Sequence, residues 1–307
     1  MRKENFLGVY GHTAIDIIYN SIEFPRPNST VELLGRREHY GGTGANLARI
    51  AASLGVKVAL ASHVGDDFPK AFMDALKNSG VDVADLVKVK GSRTPIVIMV
   101  SDRDHNQIGF VDQGAMREQD RLPLRTHTVD SSRFVHVGTG RPSYALKIAK
   151  RGRWRKKTVC FDPAQELHYV YSAETFKAVL EQSEVFFCNS AELEKAKSYL
   201  NLKEDQELLS YVRMVVNTRG GQGSRIMTED DEVLVGTIKP DKVVDTTGAG
   251  DGFRAGFYAA LGRSLAIEEC AWIGAATASF VVEGMGAQST LPSWEMVQRR
   301  AARRKCV

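Results

Sequence analysis

Short apolar runs alternate with helix-like runs from about residue 130 onward, and this alternation limits the fold more than any other feature. The run "RFVHVGTG" is followed by "PSYALKIAKR", "KTVCFDP" by "AETFKAVLEQ", and "EVFFCNS" by "AELEKAKSYL". Strand–helix–strand units connect by right-handed crossovers and build a mostly parallel sheet. We therefore predict an α/β fold with three layers, in which a mostly parallel sheet is flanked by helices.

Polar or glycine residues stand at the end of each strand-like run. They are Gly138-Thr139-Gly140, Asp162, Asn189 and Thr218-Arg219-Gly220. In open parallel sheets the ligand crevice lies beyond the carboxyl ends of the strands. We therefore expect these residues to share one rim that faces a ligand.

The composition is that of an ordinary globular protein, since 43% of the 307 residues are hydrophobic and 25% are charged. No apolar run reaches the roughly 18 residues that a membrane span needs, so "AWIGAATASFVV" predicts a buried helix. The first residues carry charges and only a strand-length apolar patch, which does not indicate a signal peptide. The four cysteines lie far apart, which argues against zinc and disulfides and favours a reducing cytoplasm. We expect one cytoplasmic domain over residues 1–307.

Two basic clusters stand out against a net charge of only +4. They are "KIAKRGRWRKK" (Lys147 to Lys157) and the tail "QRRAARRKC" (Gln298 to Cys306). A nucleic-acid site would join such clusters to stacking aromatic residues or a known module, and only Trp154 interleaves here. We predict a solvated helix end and a solvated tail, without a nucleic-acid or membrane partner.

Two early regions break the strand–helix rhythm. Residues of about 13–40 and 93–115 contain extended pairs such as "TPIVIMVSD" and "NQIGFVDQ", joined by the turn residues "DRDHN". A small β-sheet inserted in this way into an α/β core would serve as a lid. Between the two regions, "GGTGANLARIAASLG" predicts a glycine-rich loop that enters a helix ending near Gly55.

The stretch "VVDTTGAGDGFRAGF" carries the strongest chemical signal. Apolar residues recur at helical spacing after Asp251, which places this carboxylate near a helix amino terminus, where N–H groups are unpaired. Gly248, Ala249 and Gly250 would present backbone amides to an anion. Because like charges repel, Asp251 would act as a base toward a hydroxyl while the amides stabilise a transferring phosphoryl group. The alternative is a plain N-terminal cap.

Two motifs resemble one enzyme family. "DTTGAGDGFRAGF" resembles the C-terminal signature of the ribokinase-like (PfkB-type) carbohydrate and nucleoside kinases, and "GGTGANLA" resembles their N-terminal glycine signature. They lie about 200 residues apart in the family's order, which is far more specific than either motif alone. The resemblance covers nearly the whole chain and implies a ribokinase-like fold and a cytoplasmic, ATP- and Mg²⁺-dependent kinase.

The resemblance also implies roles for residues on the nucleotide side. Asp251 would be the catalytic base, and Gly248, Ala249 and Gly250 the anion hole. "CNSAELE" is similar to the family's N-x-x-E element, which would place Asn189 near the phosphates and Glu192 near magnesium, through water. "TRGGQGS" resembles the glycine turn that cradles the nucleotide, with Thr218, Gly220 and Gly223 in contact. Taken alone, that turn is equally compatible with a tight hairpin.

On the acceptor side, "GHTAIDII" resembles the family's opening strand. Asp16, Gly42 and Asn46 would hold sugar hydroxyls, since a carboxylate accepts two O–H donors and an amide both donates and accepts. "DQGAM", "FDPAQELHY" and Arg254 look more like the nucleoside-kinase branch, which implies phosphorylation of a nucleoside 5′-hydroxyl. We expect alanine at Gln113, Met116 or Arg117 to change the base preference.

The resemblance also bears on a monovalent cation, on association with a second copy and on Arg254. "VVEGMGAQ" (Val281 to Gln288) resembles a loop that in many members binds a monovalent cation, which implies activation by K⁺. Lid strands with apolar faces often pair with another copy in this family, which implies a homodimer through the lid. Arg254, one helical turn from Asp251, would pair with a carboxylate, reach phosphate or remain a surface cation.

The signatures of two other nucleotide-binding enzyme classes are missing from the sequence. A dehydrogenase would carry Gly-x-Gly-x-x-Gly after its first strand, and "FLGVYGHTAID" lacks it. The P-loop signature is also missing from the sequence. Two alternatives stay open: a sugar kinase for ribose, fructose or 2-keto-3-deoxygluconate, and a non-catalytic nucleotide- or sugar-binding sensor, which would not need Asp251.

Overall fold

Strands and helices alternate along the chain in this computed structural model, which describes residues 4–104 and 106–304. The strands are β1 Asn5–Tyr10, β2 Ala14–Ser21, β3 Leu33–Gly41, β4 Val58–Val64, β5 Asp82–Lys88, β6 Ile96–Ser101, β7 Gln107–Asp112, β8 Ser132–Val137, β9 Thr158–Phe161, β10 Val185–Asn189, β11 Met214–Thr218, β12 Ser224–Thr228 and β13 Glu232–Val235. The helices are α1 Thr43–Ser53, α2 Lys70–Asn78, α3 His127–Asp130, α4 Pro142–Trp154, α5 Ala173–Leu180, α6 Ser190–Leu200, α7 Ala249–Leu261, α8 Ile267–Val281 and α9 Trp294–Ala301.

The larger sheet has nine strands in the order β13-β12-β11-β10-β9-β8-β1-β4-β5. Neighbouring strands are parallel from β11 to β5. Strands β12 and β13 add to one edge in antiparallel fashion, because the connection after β11 is too short for a crossover. The prediction of a mostly parallel sheet is confirmed, and the glycine turn between β11 and β12 is a hairpin.

Helices cover both faces of this sheet, as two adjacent residues of β10 show. Phe186 and Phe187 are both buried but point to opposite sides, since side chains alternate along a strand. Phe187 belongs to the apolar cluster that contains residues of α1, α2, α7, α8 and α9. Phe186 belongs to the cluster built by α4, α5 and α6. The predicted three layers are therefore present.

A separate four-stranded sheet has the order β3-β2-β6-β7. Its strands come from the two segments in which the sequence predicts extended pairs. In the turn between β6 and β7, the Asp102 carboxylate accepts the backbone N–H groups of Asp104 and Asn106; His105 lies outside the described residues. Only Gly11, His12 and Thr13 separate β1 of the larger sheet from β2 of the smaller one, so the two sheets meet at this point.

The C-terminal helix corrects one expectation from the sequence. Arg300, in the predicted solvated tail, is only 7% exposed, because it pairs with Glu283 and lies over the ring of Phe280. Arg304 forms a two-point ion pair with Glu269. The tail residues Lys305 and Cys306 lie outside the described residues. Two of the basic residues of this cluster, Arg300 and Arg304, therefore hold the C-terminal segment against α8 and the residues that follow it.

Helix α8 is buried as expected for "AWIGAATASFVV". Within residues 4–104 and 106–304, no helix has both the length and the apolar character that crossing a bilayer requires.

Candidate active site

A cavity of about 300 Å³ lies between the smaller sheet and the carboxyl ends of the larger sheet's strands. Val97 and Met99 of β6 line one side of it, and Asn46 and Asp251 line another. Thr139, which follows β8, is also part of the wall. Of the residues predicted to form the rim, Thr139 lines this cavity. The size of the cavity falls in the range of small-molecule sites.

Asp251 lies in the first turn of α7, which begins immediately after Gly248. Gly248 adopts the left-handed conformation with φ 79°, and a Cβ there would lie 2.2 Å from the Cβ of Ala287. Both facts require glycine at this position. The Ala249 N–H donates to the Thr246 carbonyl. In the part of the chain that the structure describes, the N–H groups of Gly248 and Gly250 have no acceptor, so they are free to bind an anion.

The carboxylate of Asp251 faces the cavity in a perturbed electrostatic environment. Burial raises the pKa of Asp251 to about 6, although the positive charge of Arg254 and a hydrogen bond from Asn46 act in the opposite direction. The Asn46 Nδ2 donates to the Asp251 Oδ2 over 2.9 Å. At neutral pH the carboxylate is mostly ionised and can accept a proton.

Asp16 brings a second carboxylate into the cavity from β2. It is only 7% exposed, and its Oδ1 has no hydrogen-bond partner within the described residues. Burial, followed by the negative charges of Asp251 and Asp245, raises the pKa of Asp16 to about 7. A buried carboxylate oxygen without a partner is unfavourable. The Oδ1 of Asp16 is therefore available to accept a hydrogen bond from a ligand.

Arg254 is buried beneath the first turn of α7 and is held by Asp162, the residue that follows β9. Its Nη2 donates to the Asp162 Oδ1 over 2.9 Å, and its Nε contacts the Asp162 Oδ2. Its Nη1 lies so close to Gly250 that a Cβ there would come within 2.6 Å. The negative charges of Asp162, Glu192 and Asp251 raise the pKa of Arg254 against the effect of burial. Of the three sequence-based alternatives for Arg254, pairing with a carboxylate is the one observed.

Asn189 and Glu192 lie at the start of α6 and bind each other. The Asn189 Oδ1 accepts the Glu192 N–H over 2.9 Å, and the Glu192 Oε2 accepts the Asn189 N–H over 2.7 Å. This reciprocal capping fixes the helix start. Burial and the charge of Asp162 raise the pKa of Glu192 to about 7. Glu192 therefore belongs to the same buried charge cluster as Arg254.

The glycine turn lies beside this helix start, because Thr218 of β11 pairs in register with Asn189 of β10. The Thr218 hydroxyl donates to the Cys188 carbonyl over 3.4 Å. Gly223 has φ 85°, and a Cβ there would lie 2.0 Å from the Val235 carbonyl oxygen. At Gly220, by contrast, the same position is open. Packing thus explains Gly223, whereas the space beside Gly220 is available to a ligand.

Comparisons with known proteins assign this arrangement to a family. The family model described as pfkB family carbohydrate kinase matches residues 4–294. The chain belongs to the pfkB family of carbohydrate kinases. The family resemblance drawn from the two glycine motifs is therefore confirmed.

Relatives of this pfkB kinase include archaeal nucleoside kinases. The nucleoside kinase of Methanocaldococcus jannaschii is 39% identical over 291 residues, which cover 94% of each chain. The nucleoside kinase of Methanothermobacter thermautotrophicus is 34% identical over 304 residues, covering 98% of this chain and 97% of the relative. The crystal structure of the M. jannaschii nucleoside kinase, described as an archaeal member of the ribokinase family, aligns with a TM-score of 0.91 at 38% identity and covers 98% of this chain and 99% of its own. The predicted ribokinase-like fold is confirmed.

None of the three residues expected near the base of a nucleoside lines the cavity itself. In this pfkB kinase they lie around the 3₁₀ segment Gly114–Asp120. Met116 has no exposed surface and contacts the Ser62 hydroxyl in the interior. Arg117 is exposed and pairs with Asp112. Gln113 contacts the cavity wall indirectly, since it bonds to His12 and Glu166, which line the cavity, whereas Met116 and Arg117 do not.

Gln113 belongs to a hydrogen-bonded cluster that sequence reasoning missed. Its Nε2 donates to the Glu166 Oε1 over 2.7 Å, and its Oε1 bonds to the His12 Nε2 over 2.6 Å. The His12 Nδ1 in turn bonds to the Thr139 hydroxyl over 2.7 Å. His12, Thr139, Glu166 and the neighbouring Tyr169 line the cavity. The strand-end rule indicates Thr139. His12 and Glu166 lie within the family-like segments "GHTAIDII" and "FDPAQELHY", but nothing in these segments singles out either residue.

Replacing Asp16 by asparagine should stabilise this kinase at high pH. The raised pKa of Asp16 means that its contribution to stability is complete below about pH 4 and is lost as the pH rises through about 7. Asparagine does not ionise and escapes this loss. We expect the free energy of unfolding of Asp16→Asn to exceed that of the wild type above pH 7 by up to about 4 kcal/mol, with the difference shrinking toward pH 4.

Chemical denaturation at pH 5, 6, 7 and 8 measures this difference. The exposed Asp230→Asn variant is the control and should follow the wild type. A difference between Asp16→Asn and the wild type that does not change with pH would contradict the proposed ionisation of Asp16.

Proposed function

We propose that this pfkB kinase transfers the γ-phosphoryl group of ATP to the 5′-hydroxyl of a nucleoside. The observation that carries the proposal is the cavity-facing Asp251 beside the free N–H groups of Gly248 and Gly250. The similarity to two archaeal nucleoside kinases over nearly the full chain supports a nucleoside as the acceptor.

In the proposed reaction Asp251 takes the proton of the acceptor hydroxyl while that oxygen attacks the γ-phosphorus. The bond between this phosphorus and the bridging oxygen breaks, and ADP leaves. The free amides at the start of α7 and the positive end of the helix dipole stabilise the charge of the transferring group. Arg254 adds a fixed positive charge beneath Gly250. Asp16 and Asn46 would orient the acceptor by binding its hydroxyl groups.

Magnesium fits the charges of this site. The carboxylates of Asp162, Glu192 and Asp251 surround the guanidinium of Arg254, and the pKa values of Glu192 and Asp251 are raised to about 7 and about 6, in part by the charge of Asp162. The described residues contain no group of three or more His, Cys, Asp or Glu side chains that would hold a metal by themselves. Hydrated Mg²⁺ needs only one or two carboxylates together with substrate phosphates. Glu192 would hold it through water, where it neutralises phosphate charge.

The loop implied to bind K⁺ packs against the turn before α7. The Gly286 N–H donates to the Asp245 Oδ2, and the Val244 N–H donates to the Val282 carbonyl, both over 2.8 Å. Backbone carbonyls and a carboxylate are suitable ligands for a hard cation. Activation by K⁺ is therefore part of the proposal.

The outer face of the smaller sheet supports association with a second copy. Phe110 is 60% exposed and Ile108, on the same face of β7, is 39% exposed, whereas Val111 on the other face lines the cavity. Adjacent apolar side chains on one sheet favour burial against another surface. We propose a homodimer formed through this sheet.

The first test is ADP release from Mg-ATP with a panel of acceptors. Inosine, adenosine and cytidine represent nucleosides, and ribose, fructose and 2-keto-3-deoxygluconate represent free sugars. We expect turnover with nucleosides because the cavity offers an additional polar cluster, around Gln113 and Glu166, beyond the residues that bind sugar hydroxyls. Turnover with free sugars alone would favour the sugar-kinase alternative. ATP binding without any turnover would favour the sensor.

Asp251→Asn should retain nucleotide binding and lose turnover by at least about a hundredfold, because the amide cannot accept the proton. In the wild type, kcat should fall as the pH drops through about 6, the raised pKa of Asp251, because the base becomes protonated. The affinity for ATP, measured by calorimetry, is the control for folding. The Kd of Asp251→Asn should differ from that of the wild type by less than about threefold. Near-normal turnover of this variant would refute the base assignment.

Gln113→Ala should change the preference among nucleosides by at least about tenfold in kcat/KM, because its amide orients Glu166 and His12 at the cavity wall. Arg117→Ala is the matched control: it is nearby in sequence but exposed, and it should leave the preference unchanged. The measurement is kcat/KM for inosine, adenosine and cytidine. Equal preferences in wild type and Gln113→Ala would remove this cluster from base recognition.

A further inference from the structure

A chain of hydrogen bonds leads from the proposed base to Arg49, about one turn beyond Asn46 on α1. The Asn46 Nδ2 donates to the Asp251 Oδ2 over 2.9 Å, and the Gln288 Nε2 donates to the Asn46 Oδ1 over 2.7 Å. The Arg49 Nη1 donates to the Gln288 Oε1 over 2.8 Å. These residues lie on α1, on α7 and in the loop after α8, so the chain connects three separate segments.

The direction of every bond in this chain follows from Arg49. A guanidinium has donors only, so the Gln288 side chain must present its oxygen to Arg49. Its NH₂ group then points to Asn46, whose oxygen must accept. The NH₂ group of Asn46 is thereby turned toward Asp251. Reversing one amide would place two oxygens or two NH₂ groups face to face.

Burial makes this direction costly to change. Asn46 is 3% and Gln288 is 9% exposed, so an unmade hydrogen bond cannot be replaced readily by water. The backbone around Gln288 is fixed as well, because Ala287 packs against Gly248 and the Gly286 N–H binds Asp245. The loop that holds Gln288 is therefore attached to the same turn that starts α7.

We infer that Arg49 and Gln288 are positioning residues for the base: together they hold the Asn46 amide with an N–H directed at Asp251. This bond orients the Asp251 carboxylate as a proton acceptor. The second N–H of Asn46 stays available for an oxygen of the acceptor. The inference rests on the proposed kinase function and extends it to two residues that do not line the cavity.

Other charged groups also face Asp251 and set the background for a test. Arg254 lies on the same helix, Asp162 follows β9, and Asp16 projects from β2 of the smaller sheet. Variants of Arg49 and Gln288 leave all three in place. Gln288→Met changes no charge, so a change in its pH profile reports the Asn46 amide, whereas the added carboxylate of Gln288→Glu also acts on Asp251 directly.

The decisive variant is Gln288→Glu, which keeps the shape of the side chain but replaces its donor by an acceptor. With a carboxylate at position 288, the NH₂ group of Asn46 must turn toward that position to donate a hydrogen bond. The Asn46 oxygen then faces Asp251, which loses its donor. We expect kcat to fall by about thirtyfold or more, with KM for ATP within about threefold, because the base is misoriented. The acidic limb of the kcat profile should move to higher pH, since a hydrogen bond to the ionised base is lost.

Gln288→Met serves as the second variant, because it removes the bond without reversing it. We expect its kcat to lie between those of the wild type and Gln288→Glu. A residue needed only for packing would give the opposite order, since glutamate is closer to glutamine in shape than methionine is. Arg49→Lys, which keeps a side chain with donors only, should retain more activity than Arg49→Met.

Ser79→Ala is the matched control. The Ser79 hydroxyl accepts a hydrogen bond from the Arg49 Nε over 3.3 Å, so its loss removes a partner of Arg49 without touching the chain to Asp251. Its kcat and pH profile should match the wild type. Denaturant unfolding of each variant identifies those that lose activity by unfolding.

The outcomes separate the two proposals. If the wild type phosphorylates nucleosides and Asp251→Asn is inactive, a normal kcat and pH profile for Gln288→Glu overturns the positioning role alone. A kcat of Gln288→Met below that of Gln288→Glu overturns the positioning role as well. If Asp251→Asn keeps its turnover, the base assignment fails, and the positioning role fails with it.

Discussion

Buried negative charge at the start of α7 is partly compensated by the guanidinium of Arg254, and the candidate site is arranged around this cation. Asp162 holds the guanidinium in place, and Glu192 and Asp251 lie within its field. Removing a buried partner would leave carboxylates without compensation, which is strongly unfavourable. Three carboxylates around one guanidinium retain an excess of negative charge. Such a site suits a polyanionic ligand that arrives together with a divalent cation.

The parts of this structure that the sequence predicts depend on residues close together along the chain. Helical spacing after Asp251 and the glycines before it indicate α7, and Leu47, Ile50 and Leu54 indicate the buried face of α1. The strand ends indicate the rim of the cavity, because parallel strands align their carboxyl ends. Each of these signals is local or follows from a general rule of sheet topology.

The parts that the sequence does not predict depend on contacts between distant segments. Arg254 is recognisable as unusual on a helix face near the core, but its partner Asp162 lies 92 positions away. Gln288 and Asn46 are 242 positions apart. The sequence predicts Met116 at the substrate because it belongs to the nucleoside-kinase-like motif "DQGAM". A short 3₁₀ segment gives no periodic pattern to show that this side chain points into the core while Arg117 points to solvent.

The two carboxylates that face the cavity belong to different sheets. Asp16 is carried by β2 of the smaller sheet, whereas Asp251 is carried by α7, which packs on the larger one. Any approach of the smaller sheet toward α7 brings the two carboxylates together, and while both are ionised their repulsion grows as they lose contact with water. An alcohol between them would replace that repulsion by hydrogen bonds. An empty site would therefore resist closing. In the proposed kinase reaction this repulsion would protect bound ATP from wasteful hydrolysis, without a residue dedicated to detecting the acceptor.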